Sequence, residues 1–218
     1  AANAYDYSVA TACEVLAGPT VMAAIDTAAD AAIAGLTDDA AWPVLRGHLA
    51  ILAAHGNDPV AALNTAITER ELGSAFDRAA VLDWRLDATG RHSSARGPLP
   101  WLPAIPDALR KEPEWASYLD ARADAITGHR DRIAADVAAW TPTTAPVWAR
   151  ALLTGEPDLD LLTDLAVFRA AHDVDPADRR PTGPEQYAAA SAIVQRRLDT
   201  RAESVIGTTN DAVKRWRP

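Results

Sequence analysis

Residues Tyr5 to Gly35 read YDYSVATACEVLAGPTVMAAIDTAADAAIAG, and their spacing decides the fold class. Tyr5, Val9, Ala12, Cys13 and Leu16 recur at intervals of three and four, which puts them on one face of a helix. Ala17-Gly18-Pro19 then closes that helix, because glycine suits a helix C-terminus and proline suits the first turn of the next. A second stripe, Val21, Ala24, Ile25, Ala28, Ala32 and Ile33, runs to Gly35. The pattern predicts two helices, about Tyr5–Leu16 and Pro19–Ala34, paired as a hairpin.

Working downstream, Thr37-Asp38-Asp39 is a candidate N-cap for a third helix carrying Val44, Leu45, His48, Leu49, Ile51 and Leu52 and stopping at Gly56. Asn57-Asp58-Pro59 caps a fourth with Val60, Leu63 and Ile67. Asp77 opens a fifth with Ala80, Val81, Trp84 and Leu86. Residues 88–106 hold Gly90, Gly97, Pro98, Pro100, Pro103 and Pro106, the clearest compositional boundary in the chain. Trp101, Leu102 and Ile105 interrupt its polarity, so its second half is expected to be pinned to the core. Helix returns over about Glu112–Trp140, with Trp115, Tyr118, Leu119, Ala125, Ile126, Ile133 and Val137 at helical spacing. A further helix is expected from Thr144-Ala145-Pro146 to Gly155, another from Glu156-Pro157-Asp158 with Leu159, Leu162, Leu165, Val167 and Phe168, and, after a polar turn over 173–183, a last one over about Pro184–Ile206. No stretch alternates with period two. The expectation is an all-α bundle of short helical hairpins: subdomains 1–87 and 107–206, a partly ordered connector at 88–106 and a polar tail at 207–218.

Composition sets limits on function. Hydrophobic residues make up 49% of the chain and charged residues 23%, ordinary globular usage. Cys13 is the single cysteine, so no internal disulfide forms. A buried, inert thiol and a reducing cytoplasm are expected. No uninterrupted apolar run approaches the roughly 20 residues of a membrane span, so no membrane insertion is expected. The net charge of −9 disfavours unspecific nucleic-acid binding. Charge is uneven, however: residues 1–60 carry seven acids against Arg46, while residues 179–218 carry eight bases against four acids.

Five histidines, His48, His55, His92, His129 and His172, lack a second ligand at zinc spacing. No serine sits in a nucleophile-elbow glycine frame, and no glycine-rich loop ends in lysine to hold phosphate. Neither catalytic, metal nor cofactor residues are assigned, and the chain is not expected to be an enzyme by itself. The tryptophans read mostly as core residues. The candidate contact residues lie at the basic end: Arg179, Arg180, Arg196, Arg197, Arg201, Arg215, Trp216 and Arg217.

Three stretches carry a resemblance. Arg70-Glu-Leu-Gly-Ser-Ala-Phe-Asp-Arg-Ala-Ala-Val-Leu-Asp-Trp-Arg-Leu86 is similar to a segment of the TrwC/TraA-type conjugative relaxases of actinobacteria, the MobF family. Gly97-Pro-Leu-Pro-Trp-Leu-Pro103 with Glu114-Trp-Ala-Ser-Tyr-Leu-Asp-Ala-Arg122, and Ala166-Val-Phe-Arg-Ala-Ala-His-Asp-Val-Asp-Pro-Ala-Asp-Arg-Arg-Pro-Thr-Gly-Pro184, resemble the same region in the same order. The family nicks DNA with tyrosines beside a histidine triad and unwinds it with a phosphate-loop helicase. Neither part is present in this sequence, so no catalytic residue carries over. The resemblance implies a helical accessory region of such a relaxase, contacting a relaxosome or type IV secretion protein during DNA transfer. Two other readings stay open: a module binding single-stranded DNA through the basic end, and a small hydrolase with an unread site. Arg215-Trp-Arg217 also resembles the arginine-containing tails that mark type IV secretion substrates.

Overall fold

The computed structural model describes residues 1–69, 77–88 and 97–215, with the backbone alone for 87–88 and 208–215. Eight α-helices and two short 3-10 turns are found among the described residues, with no strand. The fold is all-α. The chain forms two compact units, Ala1–Asp124 with Ala188–Ala190, and Ala125–Tyr187 with Ser191–Pro218. The stretch 88–106 expected to separate subdomains therefore lies inside the first unit.

Helix α1 (Ala2–Ala32) is broken where the sequence places the break, at Gly18 with φ 79° and ψ 166°, followed by Pro19. Residues with a Cβ are essentially excluded from that backbone region. Tyr5, Val9, Ala12 and Cys13 of the first arm and Met22, Ile25 and Ala29 of the second are buried, whereas Leu16 and Val21 beside the break are exposed. Both arms meet α2 (Trp42–Ala54). A Cβ on Gly47 would lie 2.9 Å from that of Ala10, so the glycine permits the close approach. Arg46 joins the arms, binding Glu14 at 2.5 Å and Asp26 at 2.8 Å.

By length and average hydropathy α1 passes as a membrane span, which the search for an uninterrupted run did not anticipate. Its arms, residues 2–17 and 19–32, are about 24 and 21 Å long at the helical rise, each short of the ~30 Å hydrocarbon layer. With its carboxylates paired to Arg46, α1 reads as a packed helix of this unit.

The expected N-cap at Asp38-Asp39 does not cap α2. Leu36–Asp38 is a 3-10 turn, and Asp39 reaches instead to α4 (Arg78–Ala88). Its Oδ2 accepts from the amides of Arg78 at 2.8 Å and Ala79 at 3.2 Å. Asp77 returns the exchange, accepting from the Ala41 amide at 2.9 Å just before α2 and from Ala80 at 2.9 Å. Each helix start is thus satisfied by an acid next to the other. Asp58 does cap α3 (Pro59–Thr68), as its sequence context predicts. Trp84, expected in the core, is exposed, because α4 packs through Ala79, Leu82 and Leu86. Val44 is exposed as well.

Leu99, Leu102, Ala104 and Ile105 are buried, and the Tyr5 hydroxyl donates to the Pro103 carbonyl at 2.9 Å. The second half of the proline-rich stretch is pinned to α1 as expected. After the short α5 (Asp107–Arg110), α6 runs from Pro113 to Ala138 without a break at Gly128.

In the second unit, the α-helix expected from Thr144 to Gly155 is replaced by tight turns and a 3-10 turn at Arg150–Leu153. Pro142 and Pro146 have no N–H to give, and the Thr141 and Thr144 hydroxyls accept the two amides of their own turn. Trp148 is buried and meets Trp140 edge-on at 5.6 Å. Helix α7 (Leu159–Ala171) is capped by Asp158 and buries Leu161, Leu162, Leu165 and Phe168, leaving Leu159 exposed. Helix α8 spans Ala189–Arg215, starting later than expected and continuing through 207–215, where a tail was expected. Its start is delayed because Gln195 folds the preceding residues back: it accepts from the Gln186 amide at 2.8 Å and donates to the Pro184 carbonyl at 2.8 Å and the Thr182 hydroxyl at 3.0 Å.

Candidate functional site

The first unit carries two hollows that share a wall. On the first arm of α1, Ala4, Ser8 and Thr11 follow one another at helical spacing and leave a low floor. Trp115, Tyr118 and Arg122 stand along the facing stripe of α6, and together with Tyr7 and Glu114 they enclose about 500 Å³. Tyr7 is 75% exposed and Tyr118 43%. Trp115 meets Tyr118 edge-on at 6.1 Å, and the Arg122 guanidinium lies 4.5 Å from the Tyr118 ring centre. The Ser8 hydroxyl donates to the Ala4 carbonyl and lies 3.5 Å from the Tyr118 hydroxyl. Contact with Ser8, then with Arg122, holds the Tyr118 phenol below its usual value. The pattern Trp115-x-x-Tyr118 had been assigned to a core stripe. The overlooked signal was the run of small residues opposite, which cannot fill the space to the rings.

The second hollow, of about 900 Å³, lies between the arms of α1 and the start of α2. Tyr7 and Thr11 line it too, with Asp6, Glu14, Asp26 and Asp30 facing Arg46. The Thr37 amide and hydroxyl donate to Asp30 at 3.1 and 2.8 Å. His48 lines the same hollow, its Nδ1 bonded to Asp83 of α4. An acid that orients an imidazole is one component of a hydrolase. Here, however, four carboxylates against one arginine oppose the developing oxyanion that acyl transfer requires. No group of three or more His, Cys, Asp or Glu placed to hold a metal is found among the described residues.

The candidate residues at the basic end fall in the second unit and are not brought into one patch of free charge. Arg180 binds Asp178 at 2.5 Å, and Arg201 binds Asp158 at 3.2 Å and Asp164 at 3.5 Å. Arg179, Arg196 and Arg197 are exposed and form no ion pair among the described residues. Trp216 and Arg217 lie outside the described residues, as do residues 70–76 of the first resembling stretch; Arg215 ends α8, its side chain undescribed. The turn over 173–183 is organised by a residue the sequence reading passed over. Buried Arg169 donates to the carbonyls of Arg180 at 2.6 Å, Asp175 at 2.9 Å and Asp178 at 3.1 Å, and lies over Trp148.

The chain matches no protein-family model, and comparison with curated proteins and with solved structures gave no match.

Proposed function

We propose that this chain is a non-catalytic interaction domain. On the resemblance of its sequence to actinobacterial conjugative relaxases, it serves the assembly of a DNA-transfer complex, by contact with a relaxosome or type IV secretion protein. A cytoplasmic location goes with this reading. The observation that carries it is the groove of Tyr7, Trp115 and Tyr118: aromatic rings left at a surface around an open hollow are the usual anchors of protein contacts. The test is plasmid transfer by the protein that bears this domain, with Tyr7→Ala and Tyr118→Ala introduced together. Transfer should fall while helix content and thermal midpoint hold; unchanged transfer would refute the role of the groove. Direct binding of single-stranded DNA has one observation in its favour, the exposed Arg179, Arg196 and Arg197, and a steep salt dependence of binding would support it.

A further inference from the structure

The two hollows of the first unit differ in character yet are continuous. One offers aromatic faces, the other carboxylates, and Tyr7 and Thr11 belong to both linings. An occupant that fills both must present cations to the acidic side and something that stacks on rings to the other. Arginine side chains satisfy both demands, since a guanidinium pairs with carboxylates and lies flat on aromatic rings. The protein already makes each contact with its own residues: Arg122 covers Tyr118, and Arg46 binds Glu14 and Asp26. Tyr7, 75% exposed, leaves a further ring available at the junction.

We infer that this double hollow holds an extended, arginine-bearing peptide segment of a partner protein, its cations distributed between the aromatic groove and the carboxylates beside it. The inference rests on the docking role proposed above and names the chemistry of the partner. A nucleic acid is disfavoured there, because its phosphates would meet four carboxylates and one arginine. An acidic or purely apolar segment leaves those carboxylates without counter-charge.

Fluorescence anisotropy tests it with the full 218-residue chain and three labelled probes: a short peptide alternating arginine and leucine, its glutamate counterpart, and a short oligothymidylate. The arginine peptide should bind, more weakly as salt rises, and the other two should not. Tyr7→Ala should weaken it about tenfold, the upper range for a lost cation–π contact, and Glu114→Lys should weaken it at low salt more than at high salt. Circular dichroism checks that both variants keep their helices. Tighter binding of the glutamate peptide or of DNA, or arginine-peptide binding unchanged in both variants, overturns the assignment. If the Tyr7 and Tyr118 substitutions lower transfer but the arginine peptide does not bind, the docking role stands and the occupant is wrong. If the peptide binds as expected and transfer is untouched, the occupant stands and the role in transfer fails.

Discussion

The Arg169 guanidinium donates to three backbone carbonyls of the turn that follows α7, so one side chain holds that turn to its helix. Hydrogen bonds from a charged group contribute about 1.5–3 kcal/mol each, less where partly exposed. Arg169→Met should therefore destabilise the protein by about 2–4 kcal/mol in denaturant unfolding. Loss of less than about 1 kcal/mol would mean that the turn stands without it. Cys13 tests burial in the first unit. Burial pushes its thiol up to about 12, so at pH 8 the thiolate is roughly one part in 10⁴. Iodoacetamide should leave native Cys13 unmodified and react on unfolding; rapid native labelling would show that the first arm of α1 opens. Asp199 behaves oppositely to a paired acid: burial raises its pKa above the ordinary carboxylate value although Thr182 donates to it. A folded pKa above the unfolded one means the charged form is penalised at neutral pH and the penalty is relieved as pH falls through the folded value. Asp199→Asn, which keeps an acceptor for Thr182, should raise the thermal midpoint at pH 7, with the gain gone below about pH 4.

Helix starts and stops account for most of what the sequence made legible, because caps and breakers act through their immediate neighbours. Gly18-Pro19, Asp58-Pro59 and Asp158 each do locally what their residue types dictate. Gly18→Ala should cost about 1–3 kcal/mol through the backbone alone, since its Cβ would meet nothing within 4 Å. Where the reading failed, a distant partner decided. Asp39 and Asp77 exchange helix starts across a gap of 38 residues in sequence, and no local pattern encodes a swap of that kind. Asp39 also binds the Arg78 side chain, which holds its carboxyl below the usual range. Asp39→Ala should therefore destabilise more than Asp77→Ala, by about 2–3 against about 1 kcal/mol, and a reversed order in urea titrations would contradict the exchange. The aromatic groove was illegible for a related reason. Helical spacing shows that Trp115 and Tyr118 share a face with core residues, but not that the facing arm is too small there to cover them.

At the scale of the whole molecule, the folded chain reduces the charge asymmetry written in its sequence. Residues 179–218 carry eight bases, yet Arg180 is committed to Asp178, and Arg201 to Asp158, the cap of α7, and to Asp164. The exposed arginines that remain without an ion pair among the described residues there are Arg179, Arg196 and Arg197. Reversal of charge should therefore have different effects within one helix. Arg196→Glu with Arg197→Glu should shift stability by no more than about 0.5 kcal/mol each, because neither loses a partner. Arg201→Glu should cost about 1–2 kcal/mol, replacing two attractions by two repulsions. The same variants separate the two functional readings. If the basic end binds single-stranded DNA, losing two phosphate contacts should flatten the salt dependence of log K by about 1.4, at roughly 0.7 per contact. If the aromatic groove is the working surface, plasmid transfer should survive the reversal at Arg196 and Arg197 and fall on substitution of Tyr7 and Tyr118. Transfer lost in the arginine pair and intact in the tyrosine pair would move the functional surface to the second unit.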